Sequence, residues 1–106
     1  MTREVIFAPE ALTDLFELYD IIAADAGAAR AHNYTDRIVA TCRNLVTFPE
    51  RGTRRDDLRP GLRTTTYRRR VTIAYHITDT QVVIDRILYA GRNLPPLFAG
   101  SGDDDR

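Results

Sequence analysis

The chain has 106 residues, 43% of them hydrophobic, enough for one core but not for two domains. No stretch reaches the roughly 20 apolar residues of a membrane helix, Arg3, Glu4 and Glu10 interrupt any signal-type apolar start, and the lone Cys42 closes no internal disulfide, so a reducing, cytoplasmic setting is expected. The net charge of zero hides an asymmetry: residues 1–50 set four arginines against eight acids (−4), residues 51–102 ten against four (+6), and residues 103–106 add −2.

In chain order, "REVIFA" (3–8) is β-prone and stops at Pro9, a short strand. Pro9 and Glu10 suit the first turn of a helix, and Leu12, Leu15, Phe16, Tyr19 and Ile22, with Ala23 alongside, recur at helical spacing as one apolar face. Glu10, Asp14 and Glu17 fall on another face, and Gly27 breaks the helix. "AARAHNYTDRIVATCRNLVTF" (28–48) resumes the period, with Ala31, Tyr34, Ile38, Cys42 and Leu45 along one side and Arg30, Asp36 and Arg37 elsewhere. Pro49 and Gly52 in "FPERG" end this second helix, and the short link predicts an antiparallel hairpin.

After Gly52 the period changes to two. Residues 62–69 and 71–77 read as strands, the second alternating Val71, Ile73, Tyr75 and Ile77 against Thr72, Ala74 and His76. "TDTQ" predicts a tight turn, and "VVIDRILYA" (82–90), apolar on both sides, predicts an interior strand. The expected class is α+β in the order β-α-α-β-β-β: a helical hairpin covering one face of a small, mostly antiparallel sheet. Arg63, Thr65, Tyr67 or their neighbours are expected on the open face. Residues 1–93 form the expected single domain, and 94–106 a flexible tail beyond an anchor at Leu97/Phe98.

The densest charge lies in "RRDDLRPGLRTTTYRRR", seven arginines between Arg54 and Arg70, and all fifteen cationic residues of the chain are arginine. Arginine stays charged when partly buried and forks two hydrogen bonds onto a carboxylate or phosphate. His32, His76 and Cys42 lack metal-ligand spacing, glycine-rich nucleotide motifs are absent, and Ser101 is the only serine, so no metal, cofactor or serine triad is expected. Cleaving a phosphate ester needs proton carriers besides cations, and guanidinium is not one. The candidates are Tyr89, if Arg63 and Arg92 lower its pKa, His76 and Glu50; the alternative readings are a cross-strand aromatic and a half-buried structural histidine. Zero net charge and an acidic helix face oppose a protein that tracks DNA, and only Tyr67 offers an aromatic among these arginines. A solvated, aggregation-blocking edge and a clamp for an acidic or amphipathic peptide remain as readings of the same run.

"PEA…DL" (Pro9–Leu15), "L…FPERG" (Leu45–Gly52), "LRPGLRTTTYRRR" (Leu58–Arg70) and "RILYAGRN" (Arg86–Asn93) together resemble the RelE/ParE superfamily of toxins from type II toxin–antitoxin systems, most closely the ParE branch, over about Val5 to Asn93. The resemblance implies the β-α-α-β-β-β fold and a ParD-like antitoxin whose C-terminal segment wraps the toxin. In the ParE branch it implies inhibition of DNA gyrase by binding, without catalysis, sequence-specific nucleic-acid contact, metal or cofactor. Arg63, Tyr67, Arg68, Arg70 and Arg92 are then the expected contacts to target or antitoxin. In the RelE branch it implies ribosome-dependent mRNA cleavage, with Arg63, Arg70 and Tyr89 matching its basic residues and C-terminal tyrosine. That branch's lysines and basic C-terminal cluster are missing here, replaced by Pro95–Pro96 and an acidic end. A member that keeps antitoxin binding but not toxicity is the third expectation.

Overall fold

A computed structural model describes residues 3–89. Strand β1 (Glu4–Phe7) leads into helix α1 (Pro9–Ala26), where Pro9 takes an early position that has no N–H to lose. The Ala8 carbonyl receives the N–H groups of Ala11 and Leu12. Gly27 alone joins the helices: its N–H donates to the Ala23 carbonyl while its own carbonyl accepts from Ala31. Its φ of 96° is open to glycine and costly for residues with a Cβ, so one residue both stops α1 and launches α2 (Ala28–Arg43). The second helix ends earlier than its periodicity suggests. Asn44–Val46 and Pro49–Arg51 tighten into 3₁₀ turns, as helix ends commonly do.

Five strands form one sheet in the order β1-β5-β4-β3-β2, with β2 Thr53–Arg54, β3 Arg63–Tyr67, β4 Val71–Ile77 and β5 Gln81–Tyr89. Only β1 and β5 pair in parallel, and β5 is interior as its doubly apolar pattern implies. Two-residue β2 has no readable period and was not anticipated. The strand expected over 62–69 is shorter, because Arg68 and Arg69 belong to a turn.

The helices pack on one face through Leu15, Leu18, Ile38, Cys42 and Leu45 against Val71, Ile73, Tyr75, Val82, Ile84 and Ile87. On the opposite face the loop from Arg55 to Leu62 folds back, and Leu58 and Leu62 meet Ala74 and Leu88 in a second small cluster. The β3–β4 register sets Arg63 opposite Tyr75, Thr65 opposite Ile73 and Tyr67 opposite Val71. Opposed residues share a face, so Arg63, Thr65 and Tyr67 stand on the helix side. The open side instead carries their neighbours Thr64 and Thr66, the second of the two alternatives that the alternation leaves open.

The expected faces of α1 also need correcting. Leu12 and Phe16 are 42% and 70% exposed, whereas Asp14 is 6% exposed and faces inward with Ala11, Leu15 and Leu18. Asp14 has partners that no local spacing reveals. Arg86 grips it with Nε to Oδ2 at 2.8 Å and Nη2 to Oδ1 at 3.0 Å, and the Ile87 N–H donates to Oδ2 at 2.9 Å. β1 covers β5 only through Ile84, so the rest of that edge needs another acceptor, and α1 brings Asp14 to it. Here the β4–β5 register also steps: Ala74 opposes Arg86 but Tyr75 opposes Ile84, leaving Asp85 as the extra residue of a bulge.

Candidate functional site

Three of the seven arginines in the run are neutralised within the fold. Arg54 pairs with Asp56 at 2.9 Å, Arg55 with Asp57 at 3.0 Å and Arg59 with Asp85 at 2.9 Å. The Asp56 carboxylate also accepts the Gly61 N–H at 2.8 Å, chiefly through which its pKa lies below the ordinary value. Arg63 donates from Nη1 to the carbonyls of Glu50 and Gly52, both at 3.1 Å. It therefore braces the "FPERG" bend from the end of β3 farthest from Tyr67. Tyr75 holds the same bend, its hydroxyl donating to the Pro49 carbonyl at 2.7 Å and accepting from the Gly52 N–H at 3.0 Å. Gly52 is obligatory there, since a Cβ would lie 2.5 Å from the Tyr75 hydroxyl and 2.8 Å from the Thr64 carbonyl oxygen.

The last three arginines of the run behave differently. Arg68, Arg69 and Arg70 have no carboxylate partner among the described residues, and neither do Arg30 and Arg37 on α2. Four of these five converge at one end of the molecule. A groove of about 240 Å³ is lined by Arg30, Asn33, Tyr34, Arg37, Tyr67 and Arg68. A second of about 460 Å³ shares Arg30 and Tyr34 with it and adds Arg70, Tyr89 and the apolar Ile21 and Ile22, with Asp25 as its one carboxylate.

Each wall of this cleft has a local cause. Tyr67, Val71 and Tyr89 form one cross-strand row at the open end of the sheet, on the helix side. Tyr34 descends from α2 onto that row and meets the Tyr67 ring edge-on, centroids 5.4 Å apart at 88°. The Tyr34 hydroxyl is buried without a hydrogen-bond partner. Burial, with smaller effects from Tyr89 and Tyr67, raises its pKa despite Arg70 and Arg68, so it stays a protonated donor. The Arg70 N–H donates to the Tyr67 carbonyl at 3.1 Å, closing a turn in which Arg68 and Arg69 take φ of 53° and 61°. Glycine or asparagine normally fills such positions, and a side chain there costs about 1–3 kcal/mol. The turn sets the Arg68 guanidinium 5.6 Å from the Tyr67 ring centre.

Tyr67, Arg68, Arg70 and Tyr89 are thus brought together, while Arg63 is not. Arg92, the Leu97/Phe98 anchor and the whole 94–106 tail lie outside the described residues. Sequence reasoning missed Arg30, Tyr34 and Arg37. Their signal was present: the two arginines sit seven residues apart on the helix that carries the tyrosine.

The proton-transfer candidates are scattered. Tyr89 lines the cleft and Glu50 lies on the "FPERG" bend. On the opposite sheet face, Asp85 accepts from His76 Nδ1 at 2.7 Å while also bound to Arg59. Cys42 is fully buried and its thiol is pushed up to about 12, far from a nucleophile's range. Among the described residues no group of His, Cys, Asp and Glu gathers to hold a metal, and no helix is long and apolar enough to cross a membrane.

Fold and site together define a two-helix hairpin on a mixed sheet that collects unpaired arginines and tyrosines at one end. Over residues 5–94 the chain matches the family model described as ParE toxin of type II toxin-antitoxin system, parDE, and it belongs to that family. Among solved structures it is similar to "Chromosomal ParDE TA system from P. aeruginosa", with a TM-score of 0.74 and 23% identity over 84% of this chain and 97% of that one. At that identity the likeness is one of fold. A search of curated proteins finds no match.

Proposed function

We propose that this chain is a cytoplasmic toxin that inhibits DNA gyrase by binding and is held inactive by a ParD-like antitoxin, whose C-terminal segment wraps it. Membership of the ParE family supports the reading. The observation that carries it is the cleft of Arg30, Arg37, Arg68 and Arg70 beside Tyr34 and Tyr67, with no acid–base pair assembled among them. Unpaired guanidinium groups around aromatic rings suit a binding surface for an anionic partner. Tyr67, Arg68 and Arg70 are the proposed contacts from the basic run, with Arg30 and Arg37 joining them from α2. Arg92 is proposed as a further contact, and residues 1–93 as one domain followed by a tail.

The test is controlled induction in bacteria, following DNA and protein synthesis in one culture, then supercoiling by purified gyrase. DNA synthesis is expected to stop first, and the purified chain to inhibit supercoiling. Prior loss of protein synthesis would replace this reading with mRNA cleavage, and Tyr89→Phe would then be the first variant to assay. If neither synthesis falters while folded protein accumulates, the chain retains family membership without toxicity.

A further inference from the structure

We propose that the cleft between α2 and the β3–β4 turn is a binding site for a nucleotide unit, with its phosphate held by Arg30, Arg37, Arg68 and Arg70. This assigns a ligand class to the same cleft that carries the proposed function, and nucleotide binding by the purified chain is read apart from gyrase inhibition, so either can fail without the other.

Three independent features point to the same ligand. First, among the described residues the convergent arginines have no carboxylate partner, whereas Arg54, Arg55 and Arg59 each have one, so the cleft carries an excess of positive charge suited to a concentrated anion. One carboxylate satisfies one guanidinium fork, whereas a phosphate monoester, with a charge of about −2 and three terminal oxygens, can engage several. Second, the Tyr34 hydroxyl is a buried donor lacking an acceptor, and such groups ordinarily find one. Third, the turn tolerates two left-handed arginines where glycine is cheaper, and strain of this kind collects at binding sites.

The adjoining groove extends the argument from phosphate to nucleotide. The first groove is basic and polar, whereas the second adds Ile21, Ile22 and Tyr89, a surface suited to a flat base. A peptide carboxylate leaves this second surface unused. Recognition through phosphate and an unpatterned apolar wall carries no base sequence. A free nucleotide and the 5′-phosphorylated end of a nucleic-acid strand both offer such a terminal phosphate, whereas an internal strand phosphate is a diester with a single charge.

The test uses the full chain at low salt, titrated with inorganic phosphate, adenosine triphosphate, a short 5′-phosphorylated, 3′-labelled single-stranded oligonucleotide and an oligoglutamate peptide. The triphosphate or the oligonucleotide should bind more tightly than oligoglutamate. Binding of the triphosphate alone marks a free nucleotide as ligand; tighter oligonucleotide binding marks a strand. For three phosphate contacts on a single strand, the log–log salt slope should be about −2. Arg30→Glu with Arg37→Glu, both exposed on α2 and so compatible with folding, should weaken binding at least about tenfold. Tyr34→Phe should weaken it several-fold without lowering the melting temperature, a split that a merely structural tyrosine does not produce. Oligoglutamate binding tighter than both nucleotide ligands, absence of nucleotide binding, or affinity unchanged in the arginine double variant overturns the proposal.

Discussion

Asp14→Ala is expected to be among the costliest single substitutions on α1, although position 14 lies among charged neighbours and reads as surface. Two losses combine. The Ile87 N–H at the β5 edge loses its acceptor, at about 1–3 kcal/mol. Arg86, whose side chain is only 20% exposed, loses its counter-charge, and breaking a buried pair from one side costs about 3–5 kcal/mol. These contributions overlap, and water reaching Arg86 softens the second, so the whole is about 3–5 kcal/mol. With a urea m-value of about 1.5 kcal/mol/M, the midpoint should fall by about 2–3 M. Arg86→Met in the Asp14→Ala background should recover part of the loss by removing the stranded cation. The assay is urea unfolding of wild type, both single variants and the double. A loss below about 1 kcal/mol for Asp14→Ala, or costs that add within about 0.5 kcal/mol, would refute the pairing as a stabilising unit.

Gly52→Ala should destabilise by about 2 kcal/mol or more, because the new methyl meets both the Tyr75 hydroxyl and the Thr64 carbonyl; thermal melts check it. Arg69→Gly relieves a left-handed side chain that has no ion-pair partner among the described residues, and should raise stability by up to about 1 kcal/mol after the entropic cost of glycine. A melting temperature that falls instead would place an undetected contact at Arg69. Because burial favours the neutral Cys42 thiol, its contribution is complete below the unfolded thiol's pKa near 9 and is lost as pH rises toward about 12. Thiol-reactive dyes at pH 8 should accordingly label the native chain only as fast as it opens.

Much of the architecture was written in local patterns. Pro9 and Gly27 bracket α1, the alternation of β4 runs from Val71 to Ile77, and β5 is apolar on both faces because the helices cover one and Leu58 and Leu62 pack on the other. What stayed hidden depends on contacts between distant residues. Asp14 looked solvated because its partner is 72 positions away. Leu12 and Phe16 extended an apolar stripe beyond the area that the sheet and α2 cover. Alternation alone fixes two faces but not which one meets the helices, so the side of Tyr67 stayed open. Without that side, Tyr34 and its flanking arginines had nothing to converge upon. The bulge at Asp85 has no compositional mark, since nothing in the residue types around it signals the step in register.

The parallel pairing of β1 with β5 bears on how the protein is made. Glu4 lies beside Gln81, so β1 leaves the ribosome long before the strand it pairs with and waits for β5 to emerge before it can be ordered. The helical hairpin needs only near neighbours and can form early, but its apolar face stays uncovered until β4 and β5 arrive. The Tyr67–Val71–Tyr89 row under Tyr34 closes in that same final step. A nascent chain therefore displays its helices well before it possesses its cleft, and truncation anywhere ahead of β5 leaves a fragment unable to do whatever the cleft does.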